Sequence, residues 1–253
     1  MGHSLSIRYI GHATLLAEVD TIRFLTDPVL RHRVGPLRRV GGPPVSAMPD
    51  DVDAILVSHL HQDHLDLPTL RHLGRDRRIV VPAGAGAWLR SRGFSAVDEL
   101  APGESTAVGG VTVRAVRARH SGFRPPTGPT ASAVGYLIEG RRTVYFAGDT
   151  GLFEGMRELR GAVDVALLPV GGWGPTLPSR HHLDPADAAR AADLIRPRLT
   201  VPIHWGTYWP AGFRWLRPER RHGPPRRLVR AAAELAPDVE VRATEIGDLV
   251  DLR

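Results

Sequence analysis

The chain has 253 residues, 42% hydrophobic and 24% charged, with a formal net charge of +6. That balance is of a soluble globular protein, and no run approaches the roughly 18 consecutive apolar residues a membrane span needs. Cysteine is absent, which excludes disulfides, thiolate metal sites and thiol nucleophiles, so any metal must be held by His, Asp or Glu.

In chain order, "IRYIG", "TLLAEV" and "IRFLTD" read as three strands joined by short turns. "RVGPLRRVGGPPVSAMPDD" reads as a surface loop. "DAILVS" is apolar enough to be a strand buried on both faces. "LDLPTLRHLG" reads as a helix with Gly74 as C-cap, "RRIVVPA" as a strand, and Gly84 to Ser91 as a short helix. "GVTVRAVRARH", "SAVGYLIEG" and "RTVYFAGD" give three more strands, and "VDVALLPV" another buried one. "DPADAARAADLIR" is a helix with Asp184 as N-cap and Pro185 in its first turn. "LTVPIH" is a strand, "PRRLVRAAAELA" a helix, and "VEVRATEIGDLVDL" closes the chain with two short strands. Strands in two batches, each followed by helices, predict an α/β fold in which two sheets pack face to face with helices outside, a four-layer αββα sandwich. No linker is long enough to separate a second domain, so residues 1–253 are expected to form one.

The stretch "ILVSHLHQDHLD" carries three histidines and two aspartates in its last eight positions. Alternate residues of a strand share a face, so His59 and His61 point together and one cation takes both imidazoles, while Leu60 points into apolar packing. Asp63 and His64 follow where the chain turns and suit a second ion. His120, Asp149 and His204 each end or follow a later apolar run, the place where α/β folds build sites. Asp149 is the best candidate to bridge two cations. A water so placed loses a proton near neutral pH and becomes the attacking hydroxide. Asp63 could also orient that nucleophile.

These motifs resemble the metallo-β-lactamase-fold hydrolases, whose ordered set is a histidine cluster, a lone histidine, a bridging aspartate and a late histidine. "IRYIGHATLLAEVDTIRFLTDPVL", "YFAGDTG", "HHLDPADAA" and "VPIHWGT" are similar to the N-acylphosphatidylethanolamine phospholipase D and ascorbate-6-phosphate lactonase-like group. The resemblance implies His59, His61 and His120 on one ion, Asp63, His64 and His204 on the other, and Asp149 between them. Zinc is the expected metal, with manganese or iron as alternatives. His182 matches a histidine beside the metals and is the expected second catalytic residue with Asp63; His181 is its rival, placed towards substrate. His12 and Asp27 are read as supports of ligands, and Gly11 and Pro28 as turn formers.

Phosphodiester hydrolysis is the first reading of the chemistry, because the centre is cationic and the chain basic. A lactone or carboxylic ester is the second, and a non-catalytic metal-dependent sensor is the reading from another class. The segment 205–227, with Trp205, Tyr208, Trp209 and many arginines, suggests a wall for a small or lipid-like anionic substrate. The arginine-only basic set otherwise reads as codon usage. Nothing interleaves aromatic and basic residues along a strand pair, which argues against nucleic acid as partner. The absence of a basic region leading into an apolar one at the N-terminus makes the cytoplasm the expected location.

Overall fold

The computed structural model describes residues 5–41, 51–171, 181–212 and 222–252. Strands β1 (Leu5–Gly11), β2 (Thr14–Val19) and β3 (Ile22–Thr26) form an antiparallel meander. Next come β4 (Arg33–Val34) and β5 (Leu37–Arg39), then β6 (Ala54–Leu56), α1 (Leu67–Leu73), β7 (Ile79–Pro82), α2 (Gly86–Arg90) and β8 (Val97–Leu100). β9 (Ser105–Val108), β10 (Val111–Arg117), β11 (Val134–Glu139) and β12 (Thr143–Phe146) precede a 3-10 turn at Glu154–Leu159 and β13 (Val165–Pro169). α3 (Pro185–Ile195), β14 (Leu199–Ile203), β15 (Tyr208–Pro210), α4 (Pro224–Leu235), β16 (Glu240–Val241) and β17 (Leu249–Leu252) complete the described chain.

Two seven-stranded sheets result, in the orders β17-β1-β2-β3-β6-β7-β8 and β16-β14-β13-β12-β11-β10-β9, and β15-β5-β4 form a small third sheet. Both large sheets are mixed. In the first, β3, β6, β7 and β8 run parallel, and in the second β12, β13, β14 and β16 do.

Side-chain alternation explains the layering. In β6, Ala54 and Leu56 join the large core between the sheets, whereas Ile55 joins a second core under α1 and α2; in β7, Val80 goes to the first and Ile79 and Val81 to the second. A strand flanked by two cores must be apolar at every position, which is why "AILV" and "IVVP" show no polar alternation. On the far side, Ala188, Ala189, Ala191 and Ala192 of α3 bury against the second sheet's side of the large core, with Leu228 and Ala232 of α4. Asp184 caps α3 by accepting from the N–H groups of Ala186 and Asp187, both at 2.9 Å, worth about 1 kcal/mol. Asp66 caps α1 through the N–H of Thr69 at 3.0 Å. The four-layer αββα arrangement expected from the sequence is the one observed.

Differences are local. "DAILVS" contributes a ladder of only three residues. The 33–51 loop contains the β4–β5 hairpin, and its residues 42–50 lie outside the described residues. β8, β9 and β15 were not expected. "GVTVRAVRARH" leaves the sheet at Arg117, so His120 stands three residues beyond the strand rather than on its end.

Candidate metal centre

The site is built where the ladder of β6 stops. Val57 N–H still donates to Val80 O at 2.9 Å, and Ser58 O accepts from Val134 N of the opposite sheet at 2.9 Å. The chain then turns: His64 N and Leu65 N both donate to His61 O, at 3.1 and 2.8 Å. His59 and His61 thus lie beyond the three-residue ladder of β6, where their rings converge. Leu60 is fully buried in the second core, as expected.

Of the four groups of ligand atoms that form among the described residues, two gather the expected ligands; the others are Asp27, His59 and His64, and His120, Asp149 and His182. His59, His61 and His120 make one: His59 Nε2 and His120 Nε2 lie 3.0 and 3.1 Å from His61 Nδ1. Asp63, His64 and His204 make the other, together with His12, and His64 Nε2 lies 3.3 Å from His204 Nε2. Asp149 stands between them. Its Oδ2 is 3.4 Å from His64 Nε2 and 3.9 Å from His120 Nε2, and its Oδ1 is 3.2 Å from His204 Nε2.

Outer partners fix which nitrogens point inward. Asp27 accepts from Ser58 N at 2.7 Å, from Ser58 Oγ at 2.6 Å and from His64 Nδ1 at 2.7 Å. Because the Ser58 hydroxyl proton goes to Asp27, the His59 Nδ1–H donates to Ser58 Oγ at 3.0 Å. His120 Nδ1–H donates to His181 O at 2.8 Å. The Nε2 lone pairs of His59, His64 and His120 thus face the interior, the arrangement typical of ligating imidazoles.

Electrostatics agree for most of the set. Burial pushes His59 and His204 well below the usual imidazole value, lowers His61, and takes His120 down to about 4. Burial opposes ionisation of Asp63 and Asp149, but the surrounding imidazoles outweigh it and hold both carboxyls well below their usual range. His64 differs: burial is outweighed by Asp149 and Asp27, which raise it well above its ordinary value. A cation at His64 Nε2 takes the place of that proton, so binding there depends on pH.

A metal fits this donor set. Nitrogens of His59, His61 and His120 meet at 3.0 and 3.1 Å, closer than three lone pairs tolerate without a proton or a cation among them. Asp149 Oδ1 is buried and has no hydrogen-bond partner, a costly state for a carboxylate that a cation relieves. Nitrogen and carboxylate donors without sulfur suit zinc, manganese or iron. Gly148 allows the close approach: its φ is +59° and a Cβ there would fall 2.4 Å from Ser58 Cβ, so only glycine brings the Asp149 turn against the Ser58–His59 segment.

All seven expected ligands are brought together. His182 is half-buried with Nδ1 3.3 Å from Asp149 Oδ2, and Asp149 raises it above its ordinary value despite burial. His181 is exposed and contributes its backbone carbonyl, not its ring, to His120. Trp205 requires a correction: its indole is buried against Tyr9 and donates to Pro202 O at 3.2 Å, so it presents no face to substrate. Tyr208 is also buried, with its hydroxyl on Arg31 O at 2.7 Å and its ring edge against His12; it backs the site instead of lining it. Trp209 is half-buried on β15, where its backbone pairs with Arg38. Of the remaining Trp/Arg segment, 213–221 lies outside the described residues, as do residues 172–180.

His12 and Asp27 take supporting places. His12 Nε2–H donates to Asp63 Oδ2 at 3.2 Å, its ring lies 3.9 Å from that of His204, and His204 N donates to its carbonyl at 2.7 Å. Ser58 and Thr207 escaped the sequence reading. Thr207 Oγ1 accepts from His12 N at 2.6 Å; the adjacency of Ser58 to His59 was the only hint for the former. His12, Asp27 and His204 all have left-handed backbones, with φ of 58°, 34° and 61°.

The beta-lactamase superfamily domain matches residues 22–205. A metal-dependent hydrolase of Methanopyrus kandleri is 32% identical over 253 residues, 96% of this chain and 98% of its own length. The N-acyl-phosphatidylethanolamine-hydrolyzing phospholipase D 1 of Caenorhabditis elegans is 34% identical over 79% of this chain. The chain spans 63% of the length of that enzyme and of mycobacterial relatives. Among solved structures, a metallo hydrolase of Ignicoccus hospitalis superposes with a TM-score of 0.78 and 24% identity, covering 99% of both chains, a likeness of fold. Sequence, sheet order and the convergence of histidines and aspartates lead to one family: this chain belongs to the beta-lactamase superfamily.

Proposed function

We propose that this chain hydrolyses a phosphodiester at a dinuclear zinc centre. The observation that carries the reading is the position of Asp149, whose Oδ2 faces His64 and His120 while Oδ1 faces His204. His59, His61 and His120 would hold one ion and Asp63, His64 and His204 the other. Two divalent cations bound there polarise water and the substrate's ester oxygens.

The chain's own residues do the rest. Asp63 receives the His12 N–H on Oδ2, which would leave Oδ1 for the ion and for a hydrogen bond from the attacking water, so that Asp63 orients the nucleophile. His182 gives its Nδ1–H to Asp149, so Nε2 is the atom that meets the leaving oxygen and hands it a proton. Two carboxylates, Asp63 and Asp149, against two dications leave the centre cationic, which favours an anionic transition state. The phospholipase D activity named for the nematode relative and the net charge of +6 support a phosphodiester over a neutral ester.

The test is turnover by zinc- and manganese-loaded protein on phosphodiesters, including an N-acylphosphatidylethanolamine, beside lactones and simple esters. Asp149→Asn is the blank; it should lose both turnover and bound metal, and full activity in that variant overturns the bridging role. Phosphodiester cleavage supports the proposal. Cleavage of lactones alone replaces it with the carbonyl reading, and silence on every substrate with two metals bound replaces it with a sensor.

A further inference from the structure

The turn that carries His61, Asp63 and His64 is held at both ends by one side chain outside the ligand set. Arg124 Nη1 donates to Leu60 O at 2.6 Å and to Leu65 O at 2.9 Å. These carbonyls bracket the ligand turn, whose inner hydrogen bonds all converge on His61 O. Arg124 is itself fixed. Its N–H donates to Pro129 O at 3.0 Å and its carbonyl accepts from Gly128 N at 2.8 Å. Its guanidinium lies 5.0 Å from the ring centre of Trp88, on which Arg92 also stacks at 3.8 Å. A second tie runs beside it, from Gln62 Nε2 to Pro125 O at 3.2 Å. Arg124 follows ligand His120 by four residues, so the loop that leaves one ligand returns to clamp the turn that holds three others.

We infer that Arg124 is a positioning residue for the metal centre, fixing the backbone from Leu60 to Leu65 so that His61, Asp63 and His64 are presented in ligating geometry. A guanidinium suits the task because it is planar and always charged, and its Nη1 alone carries two N–H donors for the two carbonyls. Removal leaves both carbonyls without their donor and frees the turn. The inference rests on reading these side chains as metal ligands.

The experiment compares wild type, Arg124→Met, Arg124→Lys and Arg92→Met as full-length proteins. Metal affinity is read by competition with a chromophoric chelator, ligand geometry by the visible spectrum of the cobalt-substituted protein, and backbone opening by hydrogen exchange of residues 60–65. Arg124→Met should weaken metal binding about tenfold or more, alter the cobalt spectrum and speed exchange in the turn. Arg124→Lys, which keeps charge and donors, should recover some of each effect. Arg92→Met removes the other cation on Trp88 and should match wild type. Unchanged affinity and spectrum in Arg124→Met overturn the inference, as does an Arg92→Met effect of equal size, which assigns the change to packing around Trp88. If Arg124→Met does not fold, Arg124→Lys decides: a spectrum and exchange identical to wild type overturn the inference, and an intermediate pair supports it. Failure of the wild type to bind metal at all instead strikes the proposed function.

Discussion

Asp27 Oδ2 lies 2.7 Å from His64 Nδ1, and both side chains are fully sealed from solvent. Ser58 gives the same carboxylate two further hydrogen bonds, so Asp27 orients His64 directly and His59 through Ser58. Asp27→Ala should therefore loosen His59 and His64 alike. Metal affinity is expected to fall about 10–100-fold, measured by chelator competition; wild-type affinity would show that the imidazoles need no such orientation.

His182 touches Asp149 but lies outside the groups assigned to either ion. His182→Ala is expected to retain two metals per chain while the rate falls about 10²–10⁴-fold, the usual range for loss of an acid or base. Metal analysis beside steady-state kinetics checks it. Loss of one metal in the variant would make His182 a ligand.

Chelation should destabilise the fold. Without cations, Asp149 Oδ1 stays buried without a hydrogen bond, and the nitrogens of His59, His61 and His120 remain crowded. For a ligand at a thousand times its Kd, stabilisation is about 4 kcal/mol, or roughly 10 °C in Tm at this size. Thermal melts with and without a strong chelator, followed by zinc restoration, read this directly; coincident melts contradict it.

Glu99, on the edge strand β8, gives a pH test of the fold. Its Oε1 accepts the N–H groups of Gly84 and Gly86, both at 2.9 Å, and Oε2 pairs with Arg90 at 3.0 Å. Burial opposes ionisation but is overcome by Gly86, Arg90 and Gly84, leaving the carboxyl below its ordinary 4.5. A depressed value contributes stability above the unfolded value and loses it as pH falls through the folded one. Glu99→Gln should cost on the order of 1 kcal/mol at neutral pH, a deficit that shrinks below pH 4.5. Urea titrations at several pH values check both the deficit and its pH dependence.

The features legible in the sequence were those carried by local pattern. The apolar run through Leu56 announced a doubly buried strand, and Asp184-Pro185 announced α3. β8 and β9 were missed because they are the edge strands of their sheets; half exposed and polar in "VDEL" and "STAV", they lack the pattern of an interior strand. At the site, residue types and order picked out the seven side chains that come together and, through the family likeness, His12 and Asp27 beside them, while Ser58, Thr207 and Arg124 stayed hidden. His12 meets Asp63 across 51 residues and Arg124 meets Leu60 across 64, pairings created only when the sheets close. Trp205 misled because an aromatic beside a ligand says nothing of which way its ring turns.

The left-handed backbones at His12, Asp27 and His204 carry a consequence for engineering. A non-glycine residue in that region costs roughly 1–2 kcal/mol, yet each of these positions needs an imidazole or a carboxylate. Glycine would relax the main chain at each. At His12 and His204 that gain is what a melt of metal-free protein would read, whereas at Asp27 it is offset by the loss of the hydrogen bonds to Ser58 and His64. Stability screens of this protein therefore need a metal-retention readout at every round.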